Sequence, residues 1–404
     1  MRSPSFSRSL FRSLSPLLLA AALATPVASP IGAQDKPQPF FLSLDGKEPK
    51  RPKLDAGADT NDARAYIEWG DQRDTPWKKS FDAYYWALRL EPNEPIRYLQ
   101  LFNAVYWAQS PGWRREFAMG ADFATKSKEA RLLDSLIRIV NYREPFAHFS
   151  GANCVVNRDW LDYVEGDAYL TAEHYYEQSC WTQAAEWYRK VIVKYPKHLR
   201  SRLNLVRSLH YTGQHGLALV QLDTAIAQVR DQDAKRTSRY YFSKEQLETM
   251  RGDIYVQMQD FFNAKKAYGK ALEEELSYWP AHVRLARLAS IQEEHTEALQ
   301  EYDQAVQLAA DDATVHYDYG LGLLRADKSA DAEREFRKVI DLEPHFALGY
   351  FNLGLALDRQ GRKDEAVESY RRYLARAPKK QGKMVNLAQG RLAILAPTLT
   401  AEKK

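Results

Sequence analysis

The hydrophobic positions of residues 165–378 recur three and four residues apart, with polar residues between them. This spacing is typical of α-helices that bury one face. Short glycine-containing stretches and prolines interrupt this pattern at several points along the chain. Because glycine favours turns and proline ends a helix, the pattern predicts helix pairs and no strands. The turns and ends are marked by Gly213 and Gly361, and by Pro196, Pro344 and Pro378.

The pattern also repeats with a nearly constant period. Six alanines recur at equal spacing, except for one longer interval between the second and the third, and a large side chain follows each of them four positions later. A small residue lets two helix axes approach, while the larger side chains fill the space beside it. We therefore predict six antiparallel helix pairs in residues 165–378, with an insertion around 228–244 that lengthens a helix or forms a loop. The alanines are Ala184, Ala218, Ala264, Ala298, Ala332 and Ala366.

These features resemble the tetratricopeptide repeat, a helix pair of about 34 residues. The stretch from Ala347 to Pro378 matches it most fully, whereas Thr171 and Arg251 stand where the family prefers Leu. The resemblance implies an all-α fold, a right-handed α-solenoid of antiparallel helix pairs, over about residues 60–396. The residues that carry it in this stretch are Tyr350, Leu353, Gly354, Leu357, Ala366, Tyr370 and Pro378.

The segments around the six repeats have other patterns. Residues 34–60 are rich in Pro and Lys, so we expect a mobile leader there. Residues 61–164 are predicted to be helical, with one degenerate repeat around Tyr84, Ala87 and Pro92, and either continue the solenoid or form a separate helical lobe. The fold of residues 95–164 is left open. Residues 379–404 are predicted to form a capping helix and a tail, with Val385, Leu387, Leu392, Ile394 and Leu395 on the helix.

Residues 1–33 have the layout of a secretory signal peptide. Three arginines precede the apolar run 17–24, and small residues lead up to Ala33, where we predict cleavage. The run is shorter than the roughly 18 residues that span a bilayer, so no transmembrane span is expected. We predict a periplasmic or secreted protein, and the absence of any Asn-x-Ser/Thr sequence favours a bacterial origin.

The net charge argues against nucleic acid as a partner. The chain carries +4, and removal of the three signal-peptide arginines leaves +1. Phosphate binding normally needs a marked excess of Lys and Arg. The resemblance instead implies that a protein or peptide partner binds in the concave groove lined by the first helix of each repeat.

The resemblance also implies which residues line this groove, namely the second, fifth, ninth and twelfth of each repeat. They form an aromatic start, a basic middle with Arg284 near its edge, and an apolar end, which suits a partner with acidic and hydrophobic residues. The alternative for Leu321, Leu324 and Leu355 is packing against the capping helix. The predicted partner-binding residues are Tyr169, Tyr176, Arg200, Arg207, His210, Arg287, Tyr317 and Phe351.

The search for catalytic and metal-binding motifs favours a scaffold over an enzyme. No zinc-protease, nucleophile-elbow, phosphate-loop or calcium-loop spacing occurs, and we expect no cofactor and no metal. His210 and His215 flank a turn with no carboxylate or thiol beside them. Cys154 and Cys180 form either a disulfide or two buried thiols. The alternative function is an accessory or catalytic envelope protein that acts on a small molecule or glycan; the oligomeric state is left open.

Overall fold

The computed structural model describes residues 48–72, 75–110, 113, 127–143, 167–177, 179–231, 243–378 and 382–396, all within one compact unit, Pro37–Lys404. Regular secondary structure in these residues is α-helical throughout, as predicted. None of the helices found there combines the length and the apolar character that crossing a bilayer requires. The predicted signal peptide 1–33, residues 34–47 and Cys154 lie outside the described residues.

The described part of residues 168–376 contains six helix pairs, and these confirm the predicted all-α fold of paired helices. The two helices of each pair pack against each other, and the second helix packs against the first helix of the pair that follows. The pairs, numbered repeats 1 to 6, are α5 (Ala168–Glu177) with α6 (Trp181–Lys194), α7 (Leu199–Tyr211) with α8 (His215–Asp231), α9 (Lys244–Gln257) with α10 (Phe261–Glu274), α11 (Trp279–Ile291) with α12 (His295–Leu308), α13 (Ala313–Arg325) with α14 (Ser329–Leu342), and α15 (Ala347–Arg359) with α16 (Lys363–Arg376).

The turn inside every repeat has a residue with a positive φ angle at the same position. Gly213 and Gly361, which the sequence marks as turns, have φ values of 73° and 76°. In repeat 2 the amide of Gln214 donates to the carbonyl of Leu209 at 2.8 Å, which closes the end of α7. The other four repeats use residues with side chains at this position, which is strained for them. These residues are Ser179, Gln259, Glu293 and Asp327.

In three of the repeats the two helices approach each other closely at a glycine of the first helix. A Cβ atom on Gly252 would lie 2.2 Å from the ring of Tyr268, and one on Gly354 would lie 2.9 Å from the ring of Tyr370. Gly320 faces Phe336 in the same way, at 2.7 Å. Glycine is therefore required in these repeats because an aromatic ring of the second helix occupies the space that a methyl group would fill.

The predicted insertion in repeat 2 is divided between a helix and a segment that is not described. Helix α8 has 17 residues, whereas the second helices of the other five repeats have 14 each. Residues 232–242 lie outside the described residues, and the next helix begins at Lys244. A longer helix therefore accounts for part of the extra length.

Within the described residues, four helices precede the repeats, namely α1 (Ala63–Gly70), α2 (Trp77–Leu90), α3 (Ile96–Trp107) and α4 (Lys128–Arg143). With residues 48–60 they form what we call the N-terminal region. Helices α1 and α2 pair like a repeat, because a Cβ on Gly70 would lie 2.7 Å from the ring of Tyr84. The predicted mobile leader needs correction for residues 48–60: Arg51 stacks over Trp86 at 4.8 Å, and Trp86 donates to the carbonyl of Pro49 at 3.0 Å.

Helix α17 (Lys383–Leu395) packs on α16 at the predicted capping position. Val385 and Ala388 are buried there. Two of the residues assigned to its helix by pattern point away from the stack, since Leu387 is 46% exposed and Ile394 is 66% exposed. The side chains that pack on the stack belong to residues 385, 388, 392 and 395. Positions 387 and 394 each precede one of these residues and therefore lie on the outer side of the helix.

In repeat 3 the close approach at Gly252 predicts that alanine destabilises the protein there, although alanine normally stabilises a helix relative to glycine. Changing Gly252 to Ala should lower the melting temperature, because the new methyl group displaces Tyr268 and disturbs its hydrogen bond to Asp253. Changing Gly269 to Ala, in helix α10 with open space around it, should stabilise the protein by up to about 1 kcal/mol. Thermal unfolding of both variants checks this, and a stabilised Gly252→Ala protein would contradict it.

Candidate functional site

The predicted groove residues lie on the first helices of the repeats, α5, α7, α9, α11, α13 and α15. Neighbouring first helices contact each other between repeats 1 and 2, repeats 4 and 5, and repeats 5 and 6. This row of helices forms one face of the stack, which we call the groove face. Its side chains differ in burial and in their partners along the array.

At repeat 1 the central polar residue of the groove face is Glu173. Its carboxylate accepts hydrogen bonds from Tyr188 at 2.6 Å and Asn204 at 3.0 Å, and it forms an ion pair with Arg200. Arg200 is partly exposed. The first arginine of the predicted basic middle is therefore already paired with a carboxylate of the preceding repeat.

The two predicted groove tyrosines of repeat 1 are partly buried. The ring of Tyr169 meets that of His198 edge-on, with centroids 5.2 Å apart. Tyr176 packs edge-on against Trp181 at 5.4 Å and Tyr188 at 5.9 Å, and burial raises the pKa of Tyr176 to about 12. These rings offer flat apolar surface together with polar hydroxyl groups.

Arg207 and His210 are less available as cations than the sequence suggested. Arg207 is only 7% exposed, and its guanidinium donates to the Asn204 side chain at 3.0 Å. Removing it would therefore cost stability as well as any binding. Burial, and next the nearby His215, lower the pKa of His210 to about 4, so its ring is uncharged at neutral pH.

The predicted basic middle is a ladder of ion pairs between repeats. Arg284, which was expected near the edge, is buried, and its Nε donates to Asp253 at 2.8 Å. Arg287 is 50% exposed and pairs with Asp318 at 2.8 Å. Together with the pair of Arg200 and Glu173, these contacts cancel much of the positive charge that the arginines alone would give this face.

The apolar end of the groove face contributes to the core. Phe351 is buried, and its ring meets that of Tyr373 at 5.2 Å. Tyr317 is partly buried, its hydroxyl accepts a hydrogen bond from Asn352 at 3.1 Å, and burial raises its pKa to about 12. Leu324 is buried in the same apolar cluster, which favours packing as its role.

The N-terminal region lies against the groove face of repeats 4 and 5. A cavity of about 120 Å³ separates the two, and its walls come from both. The predicted groove residues Arg287 and Tyr317 therefore face helices α3 and α4. The lining residues are Pro92, Asn93, Pro95, Tyr98, Ile139, Val140 and Arg143 on one side, and Trp279, Val283, Arg284, Arg287, Thr314, Val315, Tyr317 and Asp318 on the other.

One polar contact beside this cavity joins α4 to the start of α13. Arg143 forms an ion pair with Asp312, the residue that caps α13. The same guanidinium lies 5.4 Å from the ring centre of Tyr98 and 5.8 Å from that of Trp279. It also donates to the Tyr98 hydroxyl at 3.1 Å, and burial raises the pKa of Tyr98 to about 12.

A second polar contact joins α2 to the end of repeat 5. Arg89 donates to Glu343 at 2.9 Å, and both side chains are almost fully buried. Burial raises the pKa of Glu343 to about 7, although the charge of Arg89 acts in the opposite direction. Beside this pair, the ring of Trp86 meets that of His345 edge-on at 5.1 Å.

Sequence reasoning did not identify Arg89, Arg143, Asp312 or Glu343. The only signal for Arg89 is its place as a charged residue within the apolar run 81–90. The two pairs join positions that are 254 and 169 apart along the chain, and the repeat period does not relate these positions to each other. The contact is therefore a property of the tertiary fold.

Cys180 is buried before α6 and is disulfide-bonded in the structure. Cys154 lies outside the described residues, so its pairing with Cys180 stays a prediction. In the part of the chain that the structure describes, no group of three or more His, Cys, Asp or Glu side chains is placed to hold a metal ion.

Comparison with known proteins gives a family match for the later repeats. A family model described as "Tetratricopeptide repeat" matches residues 249–313 and 317–380, which fall in repeats 3 to 6. Anaphase-promoting complex subunit 3 of Schizosaccharomyces pombe is 27% identical over 170 residues, which are 42% of this chain and 24% of that protein. The chain thus matches about a quarter of the length of that relative.

Solved structures of repeat proteins are also similar to this chain. YrrB, described as a TPR protein with an unusual peptide-binding site, is 20% identical, with a TM-score of 0.39 over 51% of this chain and 100% of YrrB. The C-terminal part of a TPR repeat-containing protein from Cytophaga hutchinsonii is 15% identical, with a TM-score of 0.44 over 56% of this chain and 95% of that one.

The raised pKa of Glu343 generates a prediction about pH. Between about pH 4.5 and 7 the carboxyl group of Glu343 is protonated in the folded protein but ionised in the unfolded chain. The contribution of this residue to the free energy of unfolding therefore rises as the pH falls through 7. From pH 7.5 to 5.5 the unaltered protein should gain about 2 kcal/mol relative to Glu343→Gln. Chemical denaturation at both pH values measures this. Glu368→Gln, at an exposed site, should show no such difference, and equal pH dependence of all three proteins would contradict the assignment.

Proposed function

We propose that this tetratricopeptide-repeat protein is an exported scaffold that holds a protein or peptide partner on its groove face, as part of an envelope complex. Stacked helix pairs offer an extended surface built from many repeats, and such surfaces suit polypeptide ligands. The observation that carries the proposal is the set of partly exposed aromatic and charged side chains that α5 and α7 present together, Tyr169, Tyr176, Arg200 and His210.

The chemistry of this patch supports a partner segment with hydrophobic and acidic residues. The tyrosine rings provide apolar surface with little conformational freedom to lose. Arg200 provides a guanidinium group that suits a carboxylate. Because Glu173 already pairs with Arg200, an incoming carboxylate must compete with it, and the charge of Glu173 weakens binding of an acidic partner.

This competition makes the proposed site testable. A photocrosslinking residue at position 169 should capture the partner from an envelope extract, while one at position 334 on helix α14, where Arg334 is exposed, should not. With the captured polypeptide purified, Arg200→Ala should weaken binding at least tenfold. Glu173→Gln should strengthen it, because the amide oxygen still accepts from Tyr188 while the competing charge is gone.

Arg334→Ala is the matched control, since that arginine pairs with Asp331 within its own helix. It should leave the affinity unchanged. Equal crosslinking at positions 169 and 334, or an unchanged affinity in both Arg200→Ala and Glu173→Gln, would place the partner elsewhere on the protein.

The proposed export has an independent test. The mature protein recovered from the cell envelope should begin at Gln34, because the predicted cleavage follows Ala33. Mass spectrometry of the N-terminal peptide after cell fractionation measures this. Replacing Leu18 and Leu19 by Arg should leave uncleaved chain in the cytoplasm. Recovery of the unaltered protein in the cytoplasm with segment 1–33 still attached would contradict the proposal.

A further inference from the structure

The interface between the N-terminal region and repeats 4 to 6 differs from the interfaces inside each part. The N-terminal region has a hydrophobic cluster of its own, from Leu54 to Val140, and the repeats have separate clusters. Among the described residues, no buried cluster is shared between the two parts. The printed contacts that join them are mainly polar, and between the two parts lies a cavity of about 120 Å³ with apolar side chains such as Ile139, Val140 and Val283 in its walls.

A polar interface of this kind can open without exposing a hydrophobic core. Relative motion is the expected behaviour of two parts that each bury their own apolar side chains. Besides the ion pairs of Arg89 with Glu343 and of Arg143 with Asp312, a hydrogen bond runs from Asn61 to the carbonyl of Ala375 at 3.0 Å. None of these contacts belongs to a hydrophobic cluster of either part.

The two arginines define what the repeats bind at this place. Both come from helices of the N-terminal region, and both reach carboxylates at repeat boundaries, Glu343 after α14 and Asp312 before α13. Trp279 adds an aromatic ring beside Arg143 at 5.8 Å. Arg287 of the repeats lines the same cavity, but its charge is paired with Asp318. Around Asp312, Glu343 and Trp279 the surface therefore suits a helix that carries arginine.

We propose that the groove face of repeats 4 and 5, with the adjoining end of repeat 5, is a second interaction surface. The chain's own N-terminal region occupies this surface, and an arginine-bearing helix of a partner displaces the N-terminal region from it. The surface is independent of the partner site proposed on repeats 1 and 2. Its ligand has the opposite charge to the acidic segment proposed there. The N-terminal region thus acts as a resident ligand that keeps the second surface closed until a competitor arrives.

The test uses the full chain and a labelled synthetic peptide with the sequence of residues Lys128–Arg143. In the double variant Arg89→Ala/Arg143→Ala the resident ligand loses both ion pairs. Small-angle X-ray scattering should then show a larger radius of gyration at unchanged helical content. Fluorescence anisotropy should show that the peptide binds this variant at least tenfold more tightly than the unaltered chain.

A second double variant, Asp312→Asn/Glu343→Gln, separates opening from recognition. It also loses both ion pairs and should also expand, but it lacks the acceptor charges and should bind the peptide at least tenfold more weakly than the first variant. Asn keeps the capping ability of Asp at the start of α13. If the arginine variant fails to fold, expansion of this second variant decides the question of opening.

Arg97→Ala is the matched control, because that arginine pairs with Glu91 inside the N-terminal region. It should resemble the unaltered chain in size and in peptide affinity. The proposal is overturned if the folded double variants keep the radius of gyration of the unaltered chain, or if the peptide binds both double variants equally. Neither result would bear on the crosslinking test at repeat 1, so the two proposals fail separately.

Discussion

The close approach of two helices within each repeat is the contact on which the rest of the structure depends. Where Gly252 meets Tyr268 and Gly354 meets Tyr370, the ring of the second helix lies against the backbone of the first. This contact fixes the spacing of the pair and the direction in which the first helix presents its other side. Because the helix pairs follow one another at a regular interval in most of the array, the first helices recur at that interval, and those of repeats 1 and 2, 4 and 5, and 5 and 6 touch each other.

The same regular stacking explains why the groove face is less basic than its arginines suggest. Successive first helices bring a side chain of one repeat beside a side chain of the next, so Arg200 meets Glu173 and Arg284 meets Asp253. Such pairs are partly or fully shielded from water, where an unpaired charge would be costly. The ladder therefore sets the competition that an acidic partner must overcome.

The N-terminal region adds a different kind of contact to the array. Its Arg89 carries charge into a buried site beside Glu343, where burial raises the pKa of the carboxyl group to about 7. A well-packed apolar interface would be insensitive to pH and to competing ions. A polar one links attachment of the N-terminal region to solution conditions and leaves both hydrophobic cores intact when it opens.

The sequence by itself determined the helix pairs, their period, the tight turns at Gly213 and Gly361, and the capping helix, because these follow from interactions between residues close in the chain. It assigned groove positions only through the family resemblance. It did not reveal that Arg207 is buried, that Leu387 points outward, or that Arg89 meets Glu343. Those features were decided by the tertiary structure, because burial and pairing depend on segments that are distant in the sequence. Such segments lie one repeat apart or, for Arg89 and Glu343, most of the described chain apart, and local periodicity carries no information over these separations.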